Sequence, residues 1–269
     1  MKRIVILISC VVFAAVLTAQ TIVRSEPSSS ARAVHSPNKI GKSLKAAYPN
    51  FVASYDNAAI TLTNGQKINY SDGIENKSFE TKLESPDLDD MFSQNYPFGA
   101  DAAAPATNFD PGRFRNTQFF DAVYGNCFNG AVDGKMVPVR WVNGANIRFS
   151  SANGANVALE RVARDLERLG SEYVRYLVPT SGTYNCRVIA GTNTRSMHSY
   201  GTAIDLNASY GEYWRWQKNR DKGLRYNNRI PMQIVRVFEN HGFIWGGRWY
   251  HYDTFHFEYR PEFLDYQRN

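Results

Sequence analysis

An aspartate set inside an apolar run is the feature that most limits how this chain can fold. Ala203-Ile204-Asp205-Leu206 reads as a strand interrupted by one carboxylate. An ionised carboxylate buried there without a partner would cost on the order of several kcal/mol, so Asp205 requires a cation. The chain has five histidines. One, His198, lies just upstream of Asp205 across a turn containing Gly201, and another, His256, lies in a second segment, Asp253-Thr254-Phe255-His256-Phe257-Glu258. A hydrolytic zinc centre needs three nitrogen or oxygen ligands, an open position for water and a nearby carboxylate to take that water's proton. The two segments together carry groups for all four roles. Period-two alternation puts His256 and Glu258 on one strand face, while Asp253 reaches the same site from the turn leading in, the place for a base rather than a ligand. Taken singly, each histidine would more often be a hydrogen-bonded structural residue; the joint pattern with Asp205 favours a metal.

The rest of the chain frames these segments. Met1-Lys2-Arg3 precedes an uncharged apolar run over residues 4–18, then Ala19-Gln20 and a polar stretch, the layout of a secretory signal over residues 1–19. An uncleaved membrane anchor is the competing expectation, and a lipoprotein cleavage box ending at Cys10 a weaker one. Export removes Cys10 with the signal and leaves Cys127 and Cys186 in an oxidising compartment, where a disulfide is the default. Of the net charge of +6, Lys2 and Arg3 account for two, leaving 6 − 2 = +4 on the mature chain. That mild excess favours anionic partners, but no Lys/Arg run with interleaved aromatics suggests nucleic acid.

Residues 20–50 read as a tether, Ser/Ala/Pro-rich over 26–36, and residues 51–110 as an accessory β region with its connection. Within 51–70, alternating apolar residues flank Asn64-Gly65, a pair suited to a type I′ hairpin turn, and 85–107 reads as a long connection. In the remaining segment, 111–269, a strand is predicted over 136–142. A helix is predicted over 156–170, with Asn156 as N-cap, Gly170 past its end, and Leu159, Val162, Ala163, Leu166 and Leu169 on its inner face. A second is predicted over 231–241, with Pro231 in its first turn, Ile234, Val235 and Phe238 inward, and Gly242 stopping it. His241 suits the C-terminal end of that helix, where a partial negative charge welcomes an imidazolium. His35 falls in the tether. His251 is a possible substrate contact, and Trp214, Trp216, Trp245, Trp249 and Tyr250 read as core and cleft wall.

Over roughly residues 184–261, the pattern S-x-H-x-x-G-x-A-x-D followed by W-x-x-x-D-x-x-H-F-E resembles a zinc peptidase family. It is the family of VanY-type D-alanyl-D-alanine carboxypeptidases, vancomycin-resistance D-Ala-D-Ala dipeptidases and phage L-alanyl-D-glutamate endolysins. The resemblance implies Zn²⁺ on His198, Asp205 and His256, Asp253 as general acid/base, and Ser196 with Gly201 shaping the first loop, Ser196 also lining the substrate site. Members hold the developing oxyanion with an arginine upstream of the first histidine; Arg187 is the first candidate and Arg195 the second. In better-known members that arginine lies farther upstream and precedes a helix. The bland alternative for Arg187 is a surface residue or a partner for an acid such as Glu258.

The fold implied is α+β: a small antiparallel sheet carrying the zinc site, helices packed on it, and a β-containing accessory region before it. The activity implied is hydrolysis of peptidoglycan stem peptides in the periplasm or cell envelope, with any membrane contact made through an uncleaved N-terminal anchor. The terminal D-Ala-D-Ala bond is the first expectation and the L-Ala-D-Glu bond the second. A non-catalytic wall-binding module that keeps the zinc fold is a third, against which the presence of Asp253 argues.

Overall fold

Where a tether is expected as far as residue 50, the chain forms a helix, α1 (Pro37–Ala47). Ile40, Leu44 and Ala47 recur at helical spacing and are buried, which makes this stretch part of the core. This computed structural model describes residues 37–189, 192, 194–218, 220 and 223–268. The expected signal, Cys10 and His35 lie outside those residues. No described helix is long and apolar enough to cross a membrane.

Three short strands follow, β1 (Val52–Tyr55), β2 (Ala59–Leu62) and β3 (Lys67–Asn69), paired antiparallel in that order. The turn at Asn64-Gly65 is not the two-residue type I′ turn, because Asn64 has no positive φ and Gly65 alone does, at 87°. Leu62 and Gln66 instead flank a three-residue loop: the Gln66 carbonyl accepts from Leu62 N–H at 2.8 Å, and the Leu62 carbonyl from Gly65 N–H at 2.9 Å. Two short helices, α2 (Phe79–Glu84) and α3 (Leu88–Met91), come next. α3 interrupts the expected connection, because Asp87 and Asp90 close a reciprocal cap around it.

After α4 (Thr117–Tyr124), a hairpin pairs β4 (Met136–Arg140) with β5 (Asn146–Ser150). Helix α5 (Ala155–Glu167) starts from Gly154, not Asn156, and ends before Leu169 and Gly170. Its inner face is as predicted, with Leu159, Val162, Ala163 and Leu166 buried. The short helix α6 (Val174–Leu177) then leads towards β6 (Ala203–Asp205). Helix α7 (Met232–Asn240) has Pro231 as its cap and buries Ile234, Val235 and Phe238. His241 ends α7, yet its Nε2 lies 2.7 Å from Asp165, so the imidazole pairs with a carboxylate of α5 instead of the helix end. The chain closes with β7 (Phe243–Trp245), β8 (His256–Tyr259) and α8 (Pro261–Arg268).

The site depends on the sheet β6-β8-β7, antiparallel throughout. One face carries Ile204, Phe243, Trp245 and Phe257, all at 0% exposure, into a core shared with α5 and α7. The other carries Ala203 and Ile244 into a core shared with α1, β2, α4 and α8. Each core takes every second residue of a strand, as the pleat dictates. The fold is α+β, with helices packed on small antiparallel sheets.

Candidate metal centre

Asp205 and His256 are directly opposed in the β6–β8 register, and Ala203 opposes Glu258, so Asp205, His256 and Glu258 share the second face of the sheet. His198 arrives from a single 3-10 turn, Met197–Tyr200, and each motif residue around it has a local task. Ser196 caps the turn, its Oγ accepting from His198 N–H at 3.3 Å. Gly201 ends it with φ of 66°, and a β-carbon there would lie 2.3 Å from Met136 Sδ. Glycine thus meets both the left-handed backbone and the close approach.

Three atoms converge. His198 Nε2 lies 3.2 Å from Asp205 Oδ1 and 3.2 Å from His256 Nδ1, and His256 Nδ1 lies 2.9 Å from Asp205 Oδ1. Ligands about 2.0–2.1 Å from a tetrahedral zinc stand about 3.3 Å apart, so the triangle suits that ion. Both imidazoles are oriented from behind. His198 Nδ1 donates to the Thr183 carbonyl at 2.7 Å, and His256 Nε2 donates to Glu258 Oε2 at 3.0 Å, which frees His198 Nε2 and His256 Nδ1 for a metal.

The electrostatics point the same way. Burial opposes ionisation of Asp205, but His198 and then His256 hold its carboxyl well below the usual range. Burial likewise opposes charge on His256, yet hydrogen bonds to Asp205 and Glu258 lift it to about 10. A metal ion in that position would take the place of this proton. Asp253 behaves oppositely: burial first, then the charge of Asp205, push its carboxyl up to about 7. Asp253 Oδ1 is buried without a hydrogen-bond partner among the described residues, an orphan acceptor beside the proposed ligands. The residues present therefore fit a zinc ion with a nearby proton acceptor.

Glu258 is not a partner of Arg187. Its carboxylate is fully buried and accepts from Arg115 Nη2 at 2.6 Å, Arg260 Nη1 at 3.0 Å and His256. Burial works against its charge, and Arg115 foremost holds it below the carboxylate range. Arg187, exposed, lines the same pocket as the cluster, with its backbone N–H held by Ser199 Oγ at 3.0 Å. Cys186 beside it is bonded to Cys127, S–S 2.06 Å. Arg195 turns elsewhere, paired with Asp121, near the Tyr200 hydroxyl and over the Phe128 ring, and is absent from the pocket wall.

Sequence reasoning missed Arg113, which lines the pocket and pairs with the buried Asp110 at 2.6 Å. The signal was present. Arg113 and Arg115 lie upstream of His198 and immediately before α4, the placement the family resemblance implies for its arginine. Ser196, Tyr213, Trp214, Trp249 and His251 also line the wall, whereas Trp245 lies in the core at 0% exposure and Trp216 is 57% exposed.

A family model described as D-alanyl-D-alanine carboxypeptidase matches residues 190–259. No curated protein and no solved structure matches the chain. The matched segment contains His198, Asp205, Asp253 and His256, and leaves Arg113, Arg115, Arg187 and the disulfide outside it. With both motifs inside the match and their side chains converging on one point, residues 190–259 are similar in sequence and in the placing of these side chains to that peptidase family.

Proposed function

We propose that the protein is a zinc-dependent D-alanyl-D-alanine carboxypeptidase acting on peptidoglycan stem peptides outside the cytoplasm, in the periplasm or cell envelope. The observation that carries this is the triangle of His198, Asp205 and His256 with the orphan oxygen of Asp253 beside it. The Cys127–Cys186 bond supports an oxidising compartment. Zinc, if held by His198, Asp205 and His256, would supply Lewis acidity to a substrate carbonyl and to water. Asp253 takes the proton as water adds to the carbonyl carbon, and returns it to the amine as the C–N bond breaks. The products are D-alanine and the shortened peptide. Arg187, which makes no ion pair among the described residues, and Arg113 place positive charge where an oxyanion and a terminal carboxylate need it. The cations of the pocket favour the carboxypeptidase reading over an endopeptidase that cuts between L-Ala and D-Glu.

The test is incubation of the purified protein with defined muropeptides, with and without chelator, reading product masses. Loss of one alanine from a pentapeptide, abolished by chelator and restored by zinc, is the expected result. Release of the peptide at the L-Ala-D-Glu bond would establish the endopeptidase, and binding without cleavage in zinc-loaded protein would make the protein a wall-binding module.

A further inference from the structure

Residues 190–259 supply the ligands and the base, but part of the pocket wall comes from much earlier in the chain. Asp110 joins the two. Its carboxylate is at 0% exposure, and among the described residues its hydrogen bonds go to two residues of the wall, Arg113 and His251. Oδ1 accepts from the backbone N–H of His251 at 3.0 Å. Oδ2 accepts from His251 Nδ1 at 2.7 Å and from Arg113 Nη1 at 2.6 Å. An ionised carboxylate only accepts, so the proton of a neutral His251 must sit on Nδ1. That leaves Nε2, across the ring, as an acceptor with no hydrogen-bond partner among the described residues. The ring is also packed by aromatics: Phe79 of α2 stacks on it at 5.4 Å, and Trp214 makes an edge contact at 4.8 Å. A side chain anchored by a buried charge and packed by aromatics, at 18% exposure in the wall of the proposed catalytic pocket, is arranged to present one atom.

We propose that Asp110 is a positioning residue for substrate: it fixes His251 so that Nε2 accepts from a backbone N–H of the bound stem peptide, while Arg113, held by the same carboxylate, donates to a neighbouring carbonyl or carboxylate. The pair matches the donor and acceptor edges of an extended peptide. Neither residue is needed for the metal, so the effect falls on binding and not on proton transfer. The inference rests on the peptidase function proposed above and adds to it that substrate recognition is supplied from outside the matched segment.

The test uses zinc-loaded Asp253→Asn protein, which binds without turning over, and a stem pentapeptide ending in D-Ala-D-Ala, with affinity measured by calorimetry. Adding His251→Phe keeps the stacked ring and removes Nε2; the expected result is affinity about tenfold weaker, the scale of one lost hydrogen bond. His251→Gln, which returns an acceptor near Nε2, recovers most of that loss. Asp110→Asn weakens binding at least as much as His251→Phe, because it frees both wall residues, and zinc content stays stoichiometric in all three. With Asp253 restored, His251→Phe raises KM and leaves kcat within about threefold, the signature of lost uniform binding. Peptide affinity unchanged in His251→Phe overturns the inference even if Asp110→Asn misfolds, and so does a parent that does not bind the peptide. A wild-type protein that binds the peptide in a His251-dependent way yet leaves it uncut would refute the hydrolytic function and sustain the positioning role.

Discussion

Replacing Glu258 by glutamine tests how far the metal centre depends on a residue outside the ligand set. The Glu258 carboxylate takes four donors: Arg115 Nη2 at 2.6 Å and Nε at 3.3 Å, Arg260 Nη1 at 3.0 Å and His256 Nε2 at 3.0 Å. A glutamine keeps one acceptor and turns the other oxygen into an NH₂. Whichever way the amide is turned, that NH₂ faces two N–H groups, Arg115 Nη2 and His256 Nε2 at one oxygen or Arg115 Nε and Arg260 Nη1 at the other, so two buried donors lose their acceptor. Arg115, 4% exposed, also loses its only carboxylate among the described residues, whereas Arg260 keeps Glu262. Breaking one side of a buried ion pair costs about 3–5 kcal/mol. Loss of a carboxylate behind a metal-bound histidine weakens metal affinity by about 10- to 100-fold, or roughly 1.4–2.7 kcal/mol. The first effect is the larger, and against a whole-protein stability of about 5–15 kcal/mol it is a substantial share.

At about 2–4 °C per kcal/mol for a chain of this size, Glu258→Gln should lower Tm by about 6–20 °C. The drop should persist in chelated protein, because most of it comes from the arginines. Thermal melts with and without zinc, together with competition against a chromophoric chelator, separate the two effects. A Tm within about 2 °C of wild type together with zinc affinity within about threefold would refute the assignment of Glu258 as the orienting carboxylate.

Asp253→Asn should retain stoichiometric zinc and lose hydrolysis by about 10²-fold or more, since the ligands stay and the proton acceptor goes; near-normal turnover would place the base elsewhere. Reduction of Cys127–Cys186, which are 59 residues apart, removes a loop-closure constraint of about 4 kcal/mol. Melting temperature should fall and catalysis weaken more than zinc binding, because neither cysteine is a proposed ligand and one adjoins Arg187. Two free thiols in the denatured, unreduced mature chain would contradict the bond. In metal-free protein, His256 is raised from 6.5 to about 10 by its two carboxylates, so its contribution to stability is full below about pH 6.5 and is lost as pH rises towards 10. Urea titrations of chelated protein from pH 6 to 10 should show that decline, and its absence in His256→Gln assigns it.

The convergence of His198, Asp205 and His256 was legible in the sequence because each part of the cluster is locally encoded. Ser196 caps a turn, Gly201 ends it, and alternation along β6 and β8 sets Asp205, His256 and Glu258 on one face. Arg113 and Asp110 were not legible in the same way. They sit in a loop whose position is set by contacts made late in the chain, His251 N–H on Asp110 and the Phe109 carbonyl on Tyr250 N–H at 2.8 Å. The same holds for α1, whose mixed composition suggests a solvated tether until its apolar stripe is matched with β1 and α8. The start of α5 differs from the expected one for a backbone reason: Gly154 at φ of 68° starts the helix ahead of the side-chain cap expected at Asn156.

Glu258, Arg260 and Glu262 alternate in charge along the chain, a pattern that elsewhere marks a solvated strand, yet all three are at 0% exposure. The requirement begins at His256. To present Nδ1 to a metal, its ring must give Nε2–H to an acceptor, and in this core the acceptor is the carboxylate of Glu258. A buried carboxylate needs cations, met by Arg115 and Arg260. Arg260 then needs its own counter-charge, met by Glu262 at 2.5 Å, and Glu262 in turn takes the Tyr48 hydroxyl at 2.6 Å, just beyond α1. Each group in the series is unaffordable without the next, and the series stops only at a neutral phenol that needs no further charge. Tyr48, 256 − 48 = 208 positions before His256, therefore helps to fix the angle of that imidazole. The segment that matches the family model, 190–259, thus depends on Tyr48, just beyond α1, for part of its support.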